Sequence, residues 1–225
     1  MLVAIIPAKN EENNIEPVIN KTKKYVDLVL VIDDGSTDAT GEVSRRAGAT
    51  VIRNEKNLGK ADALKIGFDY ILKTNADLLV MIDGDGQHDP DEIPILLSKI
   101  EEGFDIVVGA RQFNLKKMPF LRAFSNSFSS WLTTFVCRTP ILDSQSGYRV
   151  LKRKVIESIK FETKRYQLET EMLVKASRCG FKIGFVGIST IYTLQAKSKI
   201  NQVIDPIKFL FVLFKLSFFR CKKKK

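Results

Sequence analysis

Apolar residues run unbroken through Leu2–Ile6, Leu28–Ile32 and Leu78–Ile82, and shorter strand-like runs fall at 49–52 and 105–108. Runs of this length without polar alternation belong to strands covered on both faces, as in a parallel sheet. Between them, residues 11–25, 38–47, 59–73 and 91–102 carry their apolar positions at helical spacing. The alternation predicts an α/β fold, a mostly parallel sheet flanked by helices. Gly-x-Gly-x-x-Gly is absent, which disfavours a dinucleotide-binding enzyme.

From Pro119 the pattern changes. Phe120, Phe124, Phe128, Trp131 and Phe135 recur at helical spacing, with Arg122, Ser125, Asn126, Ser129 and Thr133 on the other positions. Such a stripe reads as a core face ahead of a lipid platform. The last apolar segment, Pro206 to Phe219, is a helix of about 20 Å, short of the roughly 30 Å that spans a bilayer. Lys208 and Lys215 fall on one face of it, so an interfacial helix fits better than a spanning one. The rival is that Phe209, Phe211 and Phe214 pack on the main domain or across a dimer. The expected division is therefore a domain over 1–202 and an apolar helix with a polybasic tail over 203–225.

Two of the buried runs end in acid: Asp33-Asp34-Gly35-Ser36 and Asp83-Gly84-Asp85-Gly86-Gln87. Parallel strands deliver their terminal side chains to the carboxyl edge of the sheet, where open α/β sheets bind ligands. Asp83 and Asp85 are hard oxygen donors separated by one small residue, and the glycine lets the backbone approach a phosphate closely. With water and substrate phosphates, such a pair suits Mg²⁺ or Mn²⁺. Taken alone, an acidic pair with glycine more often marks a strand-end turn.

At 225 residues the chain accommodates one substantial domain. Its net charge of +10 is uneven, because basic residues gather after about residue 110 and end in Lys222 to Lys225. That asymmetry points to an anionic partner, membrane phospholipid or a phosphorylated acceptor ahead of nucleic acid, since aromatic and basic residues do not interleave as in RNA-binding sheets. Cys137, Cys179 and Cys221 lie far apart without metal-ligand spacing, and an odd count argues against a disulfide framework and for a reducing, cytoplasmic environment.

Four motifs in order, Val3 to Ile15, Asp33 to Asp38, Asn57-Leu58-Gly59-Lys60-Ala61 and Asp83 to Pro90, resemble the family 2 glycosyltransferases, and within them the dolichyl-phosphate mannose synthase-like branch. The resemblance continues through Gly109-Ala110-Arg111, Asp143 to Arg149, Glu169-Thr170-Glu171 and Lys197 to Asn201, and so covers about 1–202. It implies a GT-A type nucleotide-diphospho-sugar transferase fold and transfer of one hexose, with inversion, from a GDP- or UDP-sugar to a polyprenyl phosphate. Pro7, Lys9, Glu11, Ile32 and Asp34 match the nucleotide pocket, joined by Asp83 and Gly84. Asp83, Asp85 and Gln87 match the metal site, with Asp85 the first choice for direct ligation. Lys197 and Lys199 match a late basic segment that closes over the diphosphate, and Glu169 and Glu171 match carboxylates near the acceptor.

The residues add their own chemistry. Arg111, at a strand end, is placed to bridge the diphosphate and an acceptor phosphate, and Arg122 with Ser125 could hold that phosphate. His88 reads as a turn residue beside the metal motif. If the acceptor is a hydroxyl, Glu169, Glu171 or Asp143 must take its proton; a phosphate acceptor needs no strong base. The alternatives are a saccharide hydroxyl acceptor and a non-catalytic nucleotide-sugar-binding module. The Gln-x-x-Arg-Trp signature of processive synthases is absent. The expected location is peripheral, at the inner face of a membrane, with a homo-oligomer left open.

Overall fold

A computed structural model of the protein describes residues 1–111, 120–163, 167–191 and 204–221, and no side chains at 120–125 or 204–207. Seven strands form one sheet: β1 (Leu2–Ala8), β2 (Leu28–Asp33), β3 (Thr50–Arg53), β4 (Leu78–Met81), β5 (Ile106–Arg111), β6 (Arg149–Lys152) and β7 (Ile183–Ile188). Their order is β3-β2-β1-β4-β6-β5-β7. All neighbours are parallel except β6, which runs antiparallel to both β4 and β5.

The unbroken apolar runs follow from two cores, one on each face. Val3, Ile5, Leu30, Ile32, Leu79 and Met81 point to one; Ala4, Ile6, Val29, Val31, Val80 and Ile82 point to the other. The second core is closed by α1 (Ile15–Thr22), α2 (Thr40–Arg46) and α4 (Ile93–Glu101), through Ile15, Ile19, Val43, Ile93 and Leu96. The first is closed by α3 (Lys60–Leu72), α6 (Arg153–Ser158) and α7 (Leu168–Arg178), through Leu64, Phe68, Val155, Met172 and Leu173. The apolar runs of β1, β2 and β4 are therefore covered on both faces, as their sequence predicts.

Two expectations are corrected. The helix after Pro119 forms as α5 (Phe120–Cys137), but Phe128, Trp131 and Phe135 are 44%, 64% and 78% exposed, so these aromatics do not form a core face. Its buried positions are instead Asn126, Ser129, Ser130 and Thr133, where α5 lies on a polar loop, and Cys137, which ends the helix in the core. Ser130 Oγ accepts from Ser144 N–H (3.0 Å), and Gln145 Nε2 donates to Ser129 Oγ (3.2 Å). The second correction concerns cysteine: Cys179 and Cys221, 42 residues apart in sequence, form a disulfide with a Cα–Cα distance of 5.1 Å. It joins the end of α7 to the chain just beyond the last helix, and Cys137 stays a buried free thiol. With one pair formed, cysteine usage no longer points to a reducing compartment.

The last helix, α8 (Ile204–Ser217), packs through Leu213 and Leu216 onto the core beside α7, with Phe209 and Val212 partly covered. Phe211, Phe214 and Phe218 stay outside. Among the described residues, no helix is long and apolar enough to cross a membrane.

Candidate active site

The carboxyl ends of β1, β2 and β4 open into a cavity of about 630 Å³. Pro7, Lys9 and Glu11 line it from the β1 exit, Asp34 from β2, and Asp83, Gly84 and Asp85 from β4. The remaining wall is Leu58, Gly59 and Lys60, the approach to α3. Seven residues expected at the nucleotide and metal positions thus meet in one cleft, and Ile32 lies fully buried beneath it.

Asp34 fixes the far wall. Its carboxylate accepts from Leu58 N–H (2.8 Å), Gly59 N–H (2.7 Å) and Asn54 Nδ2 (2.9 Å), so it shapes the loop that leads into α3. Gly59 has φ +96°, a conformation that favours glycine, and it lets α3 begin with Lys60 turned to the cleft. Asp33 turns away and caps its own loop by accepting from Ser36 N–H (2.9 Å).

Lys60 is the functional residue that sequence reasoning left without a role. Its Nζ lies 2.7 Å from Asp83 Oδ1 and 3.0 Å from Glu169 Oε1, and so ties the β4 edge to the start of α7. Burial works against charge on Lys60, but Asp83 and Glu169 outweigh it and raise its pKa. Asp83 responds in the opposite sense: burial opposes ionisation, and the Lys60 cation, with a contribution from His88, holds the carboxyl below its usual range.

Asp85 forms no ion pair among the described residues, and Lys60 acts on it only as a minor, opposing influence. Burial and the Asp83 charge push its pKa up to about 6. Gln87 caps it, with N–H at 3.1 Å and Nε2 at 2.8 Å from its two oxygens. Gly84 packs closely: a Cβ there would lie 2.8 Å from Ile15 Cδ1 and move that side chain, so glycine lets the acidic loop settle on α1 undisturbed. No cluster of three or more His, Cys, Asp or Glu suited to a metal occurs among the described residues. Mg²⁺ and Mn²⁺ nevertheless fit the donors present, since two carboxylates and an amide oxygen leave positions for water and substrate phosphate, and Asp85 is a carboxylate short of positive charge.

The residues expected on the acceptor side are held by a separate network. Arg111 donates from Nε to Asp143 Oδ2 (2.7 Å) and from an Nη to Oδ1 (3.0 Å). Asp143 also accepts from Gln145 and Ser146 N–H, and its pKa is lowered, burial being overcome by Arg111. Arg149 is fully buried and donates to the carbonyls of Ser146 (2.8 Å), Ser144 (3.1 Å) and Glu169 (2.7 Å), so one guanidinium joins this loop to α7. Burial lowers its pKa to about 10.

Glu169 and Glu171 separate. Glu169 faces Lys60, and its Oε2 is buried without a hydrogen-bond partner among the described residues. Glu171 points elsewhere: it accepts from Glu162 N–H, Thr163 N–H and Thr163 Oγ1, and pairs with Lys175 at 2.7 Å. His88 is buried against Tyr148, and burial lowers its pKa to about 4, so it is neutral at pH 7. Lys197 and Lys199 lie outside the described residues, as do the side chains of Arg122 and Ser125. The strand leading to that segment is anchored at the acidic loop, where Ile191 N–H donates to Gln87 O (3.0 Å).

The sequence profile described as Glycosyl transferase family 2 matches residues 3–160. A UDP-N-acetylglucosamine–dolichyl-phosphate N-acetylglucosaminyltransferase of Methanococcus voltae is 30% identical, over 96% of each chain. A polyprenol monophosphomannose synthase of Mycolicibacterium smegmatis is 28% identical, over 83% of this chain and 76% of its own. Among solved structures, glucosyl-3-phosphoglycerate synthase of Mycobacterium tuberculosis, in complex with Mn²⁺, UDP and phosphoglyceric acid, superposes with a TM-score of 0.79 at 22% identity. That superposition covers 97% of this chain and 79% of the other, and it shows a shared fold.

Proposed function

The chain belongs to glycosyl transferase family 2, and from that premise we propose that it moves one hexose, with inversion, from a nucleotide-diphospho sugar to a polyprenyl phosphate. The observation that carries the reading is the pair Asp83 and Asp85 at the mouth of the cavity, one neutralised by Lys60 and the other left needing a cation. Asp83, Asp85 and Gln87 would hold Mg²⁺ or Mn²⁺, which supplies positive charge at the departing diphosphate. Pro7, Lys9, Glu11 and Asp34 enclose the nucleotide. Lys197 would close over the diphosphate. The sugar–diphosphate bond breaks as the acceptor oxygen bonds to the same carbon from the opposite side.

A phosphate acceptor is favoured by how the nearby carboxylates are used. Asp143 is committed to Arg111 and Glu171 to Lys175 and the 162–163 backbone, while Glu169 is paired with Lys60. An ion-paired carboxylate is a weak base, and an anionic acceptor needs none. Transfer to a hydroxyl is the second reading, and the open Glu169 Oε2 is the one observation that favours it. Glu169→Gln therefore decides. With a phosphate acceptor the variant should keep turnover within about tenfold, whereas with a hydroxyl acceptor it should lose the roughly 10² to 10⁴-fold due to a general base. The assay is nucleotide release from UDP- and GDP-sugars with Mn²⁺ or Mg²⁺, with and without a short polyprenyl phosphate. No acceptor-dependent release from any donor would reject the proposal.

The elevated Asp85 pKa adds a pH dependence. In the metal-free protein, a proton and a metal compete for a carboxyl that titrates near 6. Mn²⁺ affinity should be level above that pH and fall about tenfold per unit well below it. Calorimetric titration of Mn²⁺ between pH 5 and pH 7.5 checks this. An affinity flat down to about pH 5 would show that Asp85 keeps an ordinary carboxylate pKa.

A further inference from the structure

We infer that α5 and α8 together form one surface that inserts into an anionic lipid bilayer. The inference rests on the reading that the acceptor is carried by a membrane, and it is measured independently of that reading. Helix α5 turns Asn126, Ser129, Ser130 and Thr133 to the protein, joined by Leu132, Val136 and Cys137 on the core, while Phe128, Trp131 and Phe135 face outward. An amphipathic helix buries its apolar stripe in a soluble fold, so this orientation marks a face built for an apolar surrounding. Helix α8 buries Leu213 and Leu216, while Phe211 and Phe214, with Phe218 just beyond the helix, stand 71%, 65% and 69% exposed. The two helices touch each other and both pack on α7, and Phe135 of α5 lines one cleft with Ser217 at the end of α8.

Charge selects the occupant. Residues 120–142 and 204–225 contain one acid, Asp205, against nine Lys or Arg, and of these the side chains of Arg138, Lys208, Lys215 and Arg220 are among the described residues. A second copy of the chain laid on this face would oppose like charges, whereas anionic headgroups around an inserted aromatic patch meet the opposite sign. Trp131 suits the depth, since tryptophan concentrates at the headgroup level of membranes. The inner face of α5 holds the loop of Ser144 and Gln145, and that loop carries the Asp143 partner of Arg111. One helix thus joins the lipid-facing surface to the acceptor side of the site.

Trp131 is the sole tryptophan and reports on its own insertion. The full chain is mixed with vesicles of phosphatidylcholine, with or without phosphatidylglycerol, some bearing a nitroxide on the acyl chain. Insertion predicts a blue shift of Trp131 emission with the anionic vesicles and quenching by the nitroxide. Phe135→Ser and Phe214→Ser alter only exposed rings, so they should melt normally and each weaken partition by about tenfold. Vesicle flotation with Trp131 still water-exposed would mean that the lysine tail binds alone, and would overturn the inference. A blue shift that follows protein concentration without lipid, with dimers in sedimentation, would also overturn it in favour of a second copy. Insertion without transfer to polyprenyl phosphate would uphold the surface and count against the acceptor reading alone.

Discussion

Asp85→Ala is expected to lose about 10³-fold or more in turnover, the several kcal/mol that a divalent ion contributes at a departing diphosphate, while melting at or slightly above the unaltered protein. The two halves have one cause. Asp85 sits partly buried beside Asp83 with no ion pair among the described residues, and its pKa near 6 means that its ionised form destabilises the metal-free fold. A carboxyl with a raised folded pKa favours the fold while protonated and loses that contribution as pH rises from its ordinary value of 3.8 through 6. At pH 7 its removal therefore relieves the metal-free protein, a common relation between active-site groups and stability. Asp83→Ala should differ, because it strands the buried Lys60 between one remaining carboxylate and the cavity. Thermal melts with and without Mn²⁺ separate the cases. Added metal should raise the melting temperature of the unaltered protein and leave that of Asp85→Ala unmoved. Normal turnover in Asp85→Ala, or in chelator-treated enzyme, would remove the metal from the mechanism.

What could be read from the chain divides along physical lines. The first five strands and four helices were legible because buried parallel strands are apolar at every position and helices repeat every third or fourth. Strand β6 was not, since Arg149 opens it and only four residues pair; its guanidinium is buried by three carbonyls that no local pattern reveals. The stripe on α5 was visible, but periodicity says only that a helix has two faces. Which face turns inward depended on the polar loop at 144–145, more than a dozen residues from Ser130. The Cys179–Cys221 pair depended on α8 folding back along α7. At the site, Asp83 and Asp85 announced themselves by following an apolar run, whereas Lys60 took its meaning from partners 23 and 109 residues away, too distant for any spacing rule.

Glu169 and Glu171 show the same limit, and they yield the second large effect. Two residues apart on a helix point in directions about 200° apart, so both cannot face one cavity. Glu169 faces Lys60; Glu171, at 1% exposure, is bound to the 162–163 backbone and to Lys175, itself buried. Removing one member of a buried ion pair leaves the other uncompensated, at a cost of about 3 to 5 kcal/mol. Glu171→Ala should therefore lower the melting temperature sharply, and the fraction that stays folded should turn over within about tenfold of normal. Burial opposes ionisation of Glu171, but Lys175 and Thr163 hold its pKa below the ordinary 4.5. Its contribution to stability is accordingly present above about pH 4.5 and lost as pH falls through the lower folded value. Denaturant midpoints of the unaltered protein should thus drop steeply on the acid side, and those of Glu171→Gln, weakened at neutral pH, should drop less. A variant that melts normally but fails to turn over would return Glu171 to the active site.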